Sequence, residues 1–486
     1  MRQFGSVSSG TIAAGTLLDV LNPATGECWA QVAEASAADV DQVVGWAREA
    51  FDSTWRHVDP SERGRLLYRW ADVIEAHAEE LAQLDSTDTG NLLAEARGDA
   101  RSAVNWLRYY AGMADKIEGR SLPDAPGRMG YTVRQPFGVV AGINAYNANT
   151  TQFAWKAGPA LAAGNVFILK APEVSPASSL RMGELALEAG FPPGVVNVIT
   201  GRGEITGSAL AAHPGIGRLV FTGSAGTAER IAAAAAPSLK PLGFELGGKN
   251  AVIVLPDFNE RMFVPSLLHS NFVKSGQSCA SGSRVFLPSA QHDELVERLG
   301  IAVRAVRVGD PAAPESQMGS LISTFHRDRI DAVVQAGVKA GATVVAGGAV
   351  GSGALAAGAF YQPTLVAGLA DDNPIARTEL FGPVISALRY DDLDEVIDRA
   401  NALDSGLTAQ IWGDSASAIQ YAVKRLEVGT VWVNTYRSVH WTAPYGGFKR
   451  SGYGRENGFE AIDLYTQTKT VMWDLTGDER ALPYQA

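Results

Sequence analysis

The sequence predicts an α/β protein built on doubly wound, largely parallel sheets, and three observations predict it. Through residues 36–116 apolar positions recur at intervals of three and four, the spacing of helices that bury one stripe. From 138 to 224 short β-rich runs alternate with helical stretches, and from 250 to 434 the same texture returns. Alternation at that spacing builds parallel sheets covered by helices on both faces, so the strands read as near-continuous apolar runs.

The elements follow in order. "SAADVDQVVGWAREAF" and "SERGRLLYRWADVIEAHAEELAQL" are helices whose N-caps are expected at Ser36 and Ser61. Strands are expected in "GVVAGINA" (138–145), "NVFILKAP" (165–172), "GVVNVIT" (194–200) and "RLVFTGS" (218–224). A second series comprises "NAVIVL" (250–255), "SRVFLP" (283–288), "ATVVAGG" (342–348), "PVISALRY" (383–390), "TAQIWG" (408–413) and "GTVWVN" (429–434). The tail "TQTKTVMWDL" (466–475) alternates apolar with polar residues and reads as a terminal strand that needs a pairing partner, for instance another subunit. No repeat or low-complexity linker separates the two series, so the domains pack together.

With 486 residues the chain can bury a large core, and two or three domains are expected. A net charge of −11 argues against nucleic acid or an anionic membrane as a partner. The first twenty residues lack an apolar core and cleavage pattern, and "IAAAAAP" (231–237) is far too short to span a bilayer. Only two cysteines, Cys28 and Cys279, stand far apart in the chain, which fits a reducing compartment and a cytoplasmic location. The seven histidines show no metal-ligand spacing, so no metal is expected.

Several motifs carry chemistry. "GRGEITG" (201–207) imitates a dinucleotide fingerprint with the wrong spacing and reads as an ordinary strand-to-helix turn. "TGSAG" (222–226) lacks the first glycine of a serine nucleophile elbow. "FTGS" (221–224) ends a strand and begins a helix, so Gly223 and Ser224 either present N–H groups to a pyrophosphate or form a plain cap. "ELGGKN" (245–250) sets Glu245 before two glycines, in isolation a solvated turn acid. Cys279 differs in kind. Structural cysteines sit in apolar runs, whereas this one lies among Gly276, Gln277, Ser278, Ala280, Ser281 and Gly282. Such a loop leaves room for a substrate, and its amides can cradle an oxyanion.

Taken together, "FELGGKN" (244–250) and "GQSC" (276–279) resemble the NAD(P)-dependent aldehyde dehydrogenases, of the non-acylating type. So do "YN" (146–147), "WKAGPALAAGNVFILKAPEVSP" (155–176), "FPPGVVNVITG" (191–201), "ELFGPV" (379–384) and "PYGGFKRSGYGRENG" (444–458), which spread the likeness over nearly the whole chain. The resemblance implies a Rossmann-like cofactor domain (1–117 and 137–247), an α/β catalytic domain (248–449), and a β oligomerisation arm with the C-terminal segment (118–136 and 450–486). It further implies a homodimer or homotetramer.

The resemblance also implies roles. Cys279 would attack the aldehyde, Asn147 with the Cys279 N–H would hold the oxyanion, and Glu245 would activate water against the thioester. Lys170 and Glu173 would bind the adenosine ribose, Ser224 with Gly223 the pyrophosphate, and Glu379 with Phe381 the nicotinamide ribose. NAD is expected over NADP, because Glu173 can accept from both ribose hydroxyls whereas a 2′-phosphate meets like charge, softened by Lys170. Glu245 argues against a CoA-acylating semialdehyde dehydrogenase, and the three catalytic matches together argue against a silent binding relative.

The substrate tunnel would be lined by Ala148, Gln152, Trp155, Ser278, Ala280, Val439 and Tyr445, with Arg437, His440 and Trp441 near its mouth. Two departures from the family pattern stand out. Ala228 replaces a glycine after FTGS, and Tyr146-Asn147-Ala148-Asn149 replaces Trp-Asn-Phe-Pro. Ala148 and Val439 stand where aromatics are common, so a wide tunnel is expected, made partly polar by Asn149 and Gln152. It would suit a bulky, polar or semialdehyde substrate. Arg437 would pair with a distant substrate carboxylate or else bond to its own loop.

Overall fold

A computed structural model describes residues 2–8, 15–123 and 126–477. The chain opens with β1 (Arg2–Phe4), β2 (Leu17–Leu21) and β3 (Cys28–Ala33), which form a small sheet in the order β1-β3-β2. Four helices follow: α1 (Ala37–Ser53), α2 (Pro60–Ala76), α3 (Ala78–Thr89) and α4 (Leu93–Ala111). Ser36 caps α1 in a reciprocal box with Asp39, as its spacing predicts. The second expected cap is displaced. Asp59, not Ser61, caps α2, because Pro60 has the φ of a first helical residue and lacks the N–H that residue leaves unpaired. Ser61 instead donates its N–H to the Asp59 carboxylate at 2.8 Å.

Next come β4 (Arg128–Pro136), β5 (Val139–Ile143), α5 (Asn149–Ala162), β6 (Val166–Lys170), α6 (Ala177–Glu188) and β7 (Val196–Ile199). They are followed by α7 (Ser208–Ala212), β8 (Arg218–Gly223), α8 (Ala225–Ala235) and β9 (Leu242–Leu246). Strands β9-β8-β5-β6-β7 lie parallel in that order, and the order reverses between β5 and β8, leaving a crevice at their C-terminal ends. A sixth strand, Gly452–Tyr453, joins antiparallel to β9 from the far end of the chain and places Gly452 opposite Glu245.

The second series supplies β10 (Ala251–Val254), α9 (Glu260–Phe272), β11 (Arg284–Pro288), α10 (His292–Arg304), α11 (Thr324–Lys339), β12 (Thr343–Ala346) and β13 (Thr364–Ala367). It continues through α12 (Pro374–Arg377), β14 (Val384–Tyr390), α13 (Leu393–Asn401), β15 (Ser405–Gly406), β16 (Thr408–Trp412), α14 (Ala416–Arg425) and β17 (Thr430–Val433). These form a seven-stranded sheet, β12-β13-β14-β11-β10-β16-β17, parallel except for β12. All ten sequence-expected strands in the two series are present.

The chain closes with β18 (Phe448–Lys449), β19 (Gly452–Tyr453), α15 (Ile462–Tyr465) and β20 (Thr466–Asp474). The terminal strand finds its partner within the chain: β20 runs antiparallel to β4 from Thr466↔Pro136 to Asp474↔Arg128. Met129, Met472, Trp473 and Leu475 remain exposed on this ribbon. Of the expected arm, residues 124–125 and 478–486 lie outside the described residues.

Candidate active site

The loop that carries Cys279 follows α9 and is held by anchors against backbone strain. Lys274 and Ser275 adopt left-handed backbone (φ 54° and 55°), costly for residues with a Cβ. Lys274 is held there from α4: its N–H donates to Glu95 at 2.9 Å and its ammonium to Asp99 at 2.5 Å. Gly276 (φ 74°) must be glycine, since a Cβ would sit 2.4 Å from the Gly382 carbonyl. The Asn250 amide then grips the carbonyls of Cys279 (2.6 Å) and Ser281 (2.9 Å).

Cys279 emerges half-buried in a wall formed by Ala280, Leu407, Trp432 and Tyr445, with Trp155 and Val439 against it. Its N–H makes no hydrogen bond to the described residues. Burial pushes the thiol up; a bond from Tyr445 and the charge of Arg437 work against that rise, while Glu379 and Glu245 add to it.

Asn147 sits between β5 and α5, buried, and donates its amide to the Gln277 carbonyl at 2.9 Å. It is thus tied to the Cys279 loop two residues before the cysteine. Gln152 Nε2 donates to Asn147 Oδ1 at 2.8 Å while Gln152 Oε1 accepts from Ala145 N at 3.0 Å. This orients the asparagine with its NH2 toward the loop.

Glu245, at the end of β9, is buried, and its Oε2 has no partner among the described residues. A Cβ on Gly446 would lie 2.7 Å from Glu245 Oε1, so the PYGG turn approaches the carboxyl as only glycine allows. Behind it Lys156 of α5 is fully buried, ion-paired to Glu456 at 2.8 Å and donating to Thr222 at 2.6 Å. Burial, then the neighbouring Glu456, pushes the Glu245 carboxyl well above the usual range, with Lys156 and Arg455 opposing.

The crevice at the ends of β5, β6 and β8 opens into a cleft of about 660 Å³ lined by Asn144, Lys170, Glu173, Gly223, Ser224 and Arg230 among others. Ser224 caps α8 by accepting from Thr227 N at 3.3 Å. The "GRGEITG" segment joins β7 to α7 as expected, but through a five-residue π-helical turn (Gly203–Gly207) rather than an ordinary one, and it walls this cleft through Arg202, Gly203 and Glu204. Burial pushes the Glu173 carboxyl up, yet the Lys170 ammonium at 2.5 Å outweighs it and holds Glu173 below its ordinary value. The Asn144 amide is buried here with both polar atoms unpartnered among the described residues. An orphaned amide, a ribose-sized carboxylate–ammonium pair and a helix N-terminus fit a dinucleotide. Ala228 leaves the first turn of α8 regular, with Ala228 N on Ser224 O at 3.0 Å.

Glu379 and Phe381 lie on the loop between α12 and β14. The Glu379 carboxyl fills the space of the missing Gly247 side chain, 1.7 Å from where a Cβ would stand. Burial pushes it up to about 7 against a bond from Gly248 N and the charge of Lys249. Phe381 is left-handed (φ 53°) and its carbonyl accepts from His326 Nε2 at 2.8 Å. Arg329 donates to His326 Nδ1 and to Leu380 O, both at 3.3 Å, which fixes the tautomer that serves Phe381.

The aldehyde dehydrogenase family pattern matches residues 11–471. Bacillus subtilis DhaS is 42% identical over 95% of this chain and 93% of its own length. The (Z)-2-((N-methylformamido)methylene)-5-hydroxybutyrolactone dehydrogenase of Acinetobacter baylyi is 40% identical over 97% of each. Among solved structures, PnpE of Pseudomonas sp. WBC-3 superposes with a TM-score of 0.96 at 39% identity. Its complex with nicotinamide adenine dinucleotide covers 99% of both chains. The chain belongs to the aldehyde dehydrogenase family. It is therefore an oxidoreductase acting on aldehydes, with the family's mixed α/β fold.

Within this dehydrogenase the tunnel expectations need correction. Asn149 is fully buried and donates to Asp85 at 2.9 Å, and the Gln152 amide is committed to Asn147 and Ala145, so neither amide is free to meet a substrate. The wall is more aromatic than expected: Trp155 and Tyr445 are joined by Trp432, and behind Trp155 stand Trp106 and, packed on it, Trp441. Trp106 comes from α4, far in sequence from the motifs, and Trp432 from β17, whose "GTVWVN" run reads simply as a strand. Ala148 is half-buried beside Asn147, and Ser278 is buried in the loop that carries Cys279. Arg437 (φ 42°) does not bond to its own loop through its side chain. Its Nε is buried without a partner, and no carboxylate of the described residues pairs with it. His440 is exposed and engaged with Thr442 at 2.8 Å.

Proposed function

We propose that the chain oxidises an aldehyde to a carboxylic acid with NAD, through a covalent thioester on Cys279. The observation that carries this reading is one loop that presents the Cys279 thiol and a Cys279 N–H unbonded among the described residues, with the Asn147 amide tied to that loop at 2.9 Å. In the reaction the Cys279 thiolate adds to the carbonyl carbon, and the oxygen gathers negative charge against the Cys279 N–H and the Asn147 amide. Each such donor acts only as charge develops and contributes about 3 kcal/mol. NAD held in the cleft would supply the hydride acceptor, and loss of hydride from the tetrahedral carbon would leave that carbon as a thioester on Cys279. Glu245 then takes a proton from water, the resulting hydroxide displaces the Cys279 sulfur, and the acid departs. Lys170, Glu173, Gly223 and Ser224 would hold the adenosine and diphosphate half, and Glu379 and Phe381 the nicotinamide ribose.

The carboxyl of Glu245 supports water rather than CoA as the acyl acceptor. The test is NADH formation across acetaldehyde, an aromatic aldehyde and a semialdehyde acid, with and without CoA. Turnover without CoA supports the reading; absence of NADH with every aldehyde, or turnover only with CoA, overturns it.

Arg437, charged and unpaired beside the aromatic wall, supports a bulky aldehyde carrying a carboxylate at its far end. The separate cores, one within 7–246 plus 461–465 and three within 251–426, support the division into cofactor and catalytic domains. The apolar residues exposed on the β4–β20 ribbon support a homodimer or homotetramer, which light scattering would resolve. No helix among the described residues is long and apolar enough to cross a membrane. The two unpaired cysteines support a cytoplasmic location.

A further inference from the structure

The Cys279 sulfur has one side-chain hydrogen-bonding neighbour among the described residues. Tyr445 Oη lies 3.7 Å from Sγ, within the reach of a bond to sulfur. The phenol has no competing partner: the thiol is its only hydrogen-bond contact among the described residues. Nor is the contact loosely placed. Tyr445 is 4% exposed, its ring packs against Trp155 at 6.0 Å, and its backbone exchanges two bonds with Glu456, at 2.7 and 2.8 Å. The same short bridge that sets Glu456 behind Glu245 therefore sets the phenol over the nucleophile.

We propose that Tyr445 is a further catalytic residue, a phenol donor that stabilises the Cys279 thiolate before attack. This rests on Cys279 being the nucleophile. While the sulfur carries its proton, either group can donate. Once the proton leaves, only the phenol can, so the bond is stronger to the charged form and favours it. The need for such a donor is plain from the other groups facing the sulfur. Glu245 and Glu379 both disfavour a second negative charge, and Arg437 alone among the ionised groups favours it. Lys156 and Glu456, paired with each other, stand behind Glu245. The phenol adds help without adding charge.

A donor to the thiolate has a cost that serves as its signature. Lowering the thiol pKa enlarges the reactive fraction but weakens each thiolate as a nucleophile, with a Brønsted slope of about 0.4–0.5. Tyr445→Phe keeps the ring and its packing and removes only the donor. In a Cys28→Ser background, alkylation of Cys279 by iodoacetamide is followed against pH by mass and by loss of NADH formation. The expected midpoint rises by about one pH unit, as a bond to a charged group implies. Below both midpoints the variant reacts about threefold more slowly, and on the alkaline plateau about threefold faster. A crossing of that kind does not arise from a general loosening of the fold. An unmoved or lowered midpoint, with alkylation still stopping turnover, overturns the phenol's role alone. Alkylation of Cys279 that leaves turnover intact overturns the nucleophile assignment and this proposal with it.

Discussion

Glu245→Gln should stop the reaction halfway while leaving the fold intact. The carboxyl is buried, with one oxygen against Gly446 and the other unpartnered, and burial with Glu456 nearby keeps it protonated well above the usual carboxylate range. A glutamine of the same shape fits the same space, introduces no buried charge and breaks no ion pair among the described residues. The Lys156–Glu456 pair remains, so stability should change by no more than about 1 kcal/mol. The chemistry responds differently. General base catalysis contributes about 10²–10⁴-fold, and glutamine cannot accept the proton, so thioester hydrolysis should slow by that factor. Attack and hydride loss do not use Glu245, so the variant should release one equivalent of NADH per active site and then stall. Mass spectrometry should find the acyl group on Cys279. The wild type should show the same step in its pH profile: because the Glu245 carboxyl and the Cys279 thiol are both raised, both must lose protons, and turnover should climb as pH rises through their range. Multiple turnovers at the wild-type rate with unmodified protein would refute the base assignment.

The remaining predictions concern the thiols, the cofactor and the substrate. Cys279→Ser should abolish aldehyde oxidation while NAD still binds, whereas Cys28→Ser, in β3 with its sulfur on Ala30 O at 3.4 Å, should retain activity; an active Cys279 variant sinks the mechanism. Because Glu173 remains a carboxylate beside Lys170, kcat/KM with NAD should exceed that with NADP by about tenfold or more, and Glu173→Ser should narrow the gap. Equal efficiency in the wild type refutes the role of Glu173. Arg437→Ala should lower the efficiency for a semialdehyde acid relative to acetaldehyde by about tenfold or more, the scale of a bond to a charged group. An unchanged ratio removes the anion-pairing idea.

How much of the molecule is legible in the sequence depends on how far apart the cooperating residues lie. The ten strands are legible because each is a short apolar run with its own turn signals, and Cys279 because its neighbours are wrong for a core cysteine. The cap of α2 was read two residues late because serine is a good cap in general, whereas Pro60 makes Asp59 the better one here. Gln152 and Asn149 were read as tunnel residues because polar side chains near Asn147 suggest a polar pocket. The helix instead turns one onto Asn147 and the other onto Asp85, from α3, and no local pattern announces that partner. The same limit hides Lys156, Glu456 and Trp106. Lys156 and Glu456 lie inside segments that carry the family likeness and Trp106 in an ordinary helix, yet each acquires its meaning only from a contact across the chain: Lys156 with Glu456 behind the proposed base, Trp106 with Asn457 through its indole N–H at 2.6 Å. The PYGG turn joins the two kinds of information. Its glycines are visible in the sequence, but only the structure shows that one clears the carboxyl of Glu245 while the tyrosine beside it stands over the sulfur of Cys279. The two proposed roles, stabilising the Cys279 thiolate and activating water, would thus depend on the placement of a single four-residue turn, and a change there should disturb both steps together.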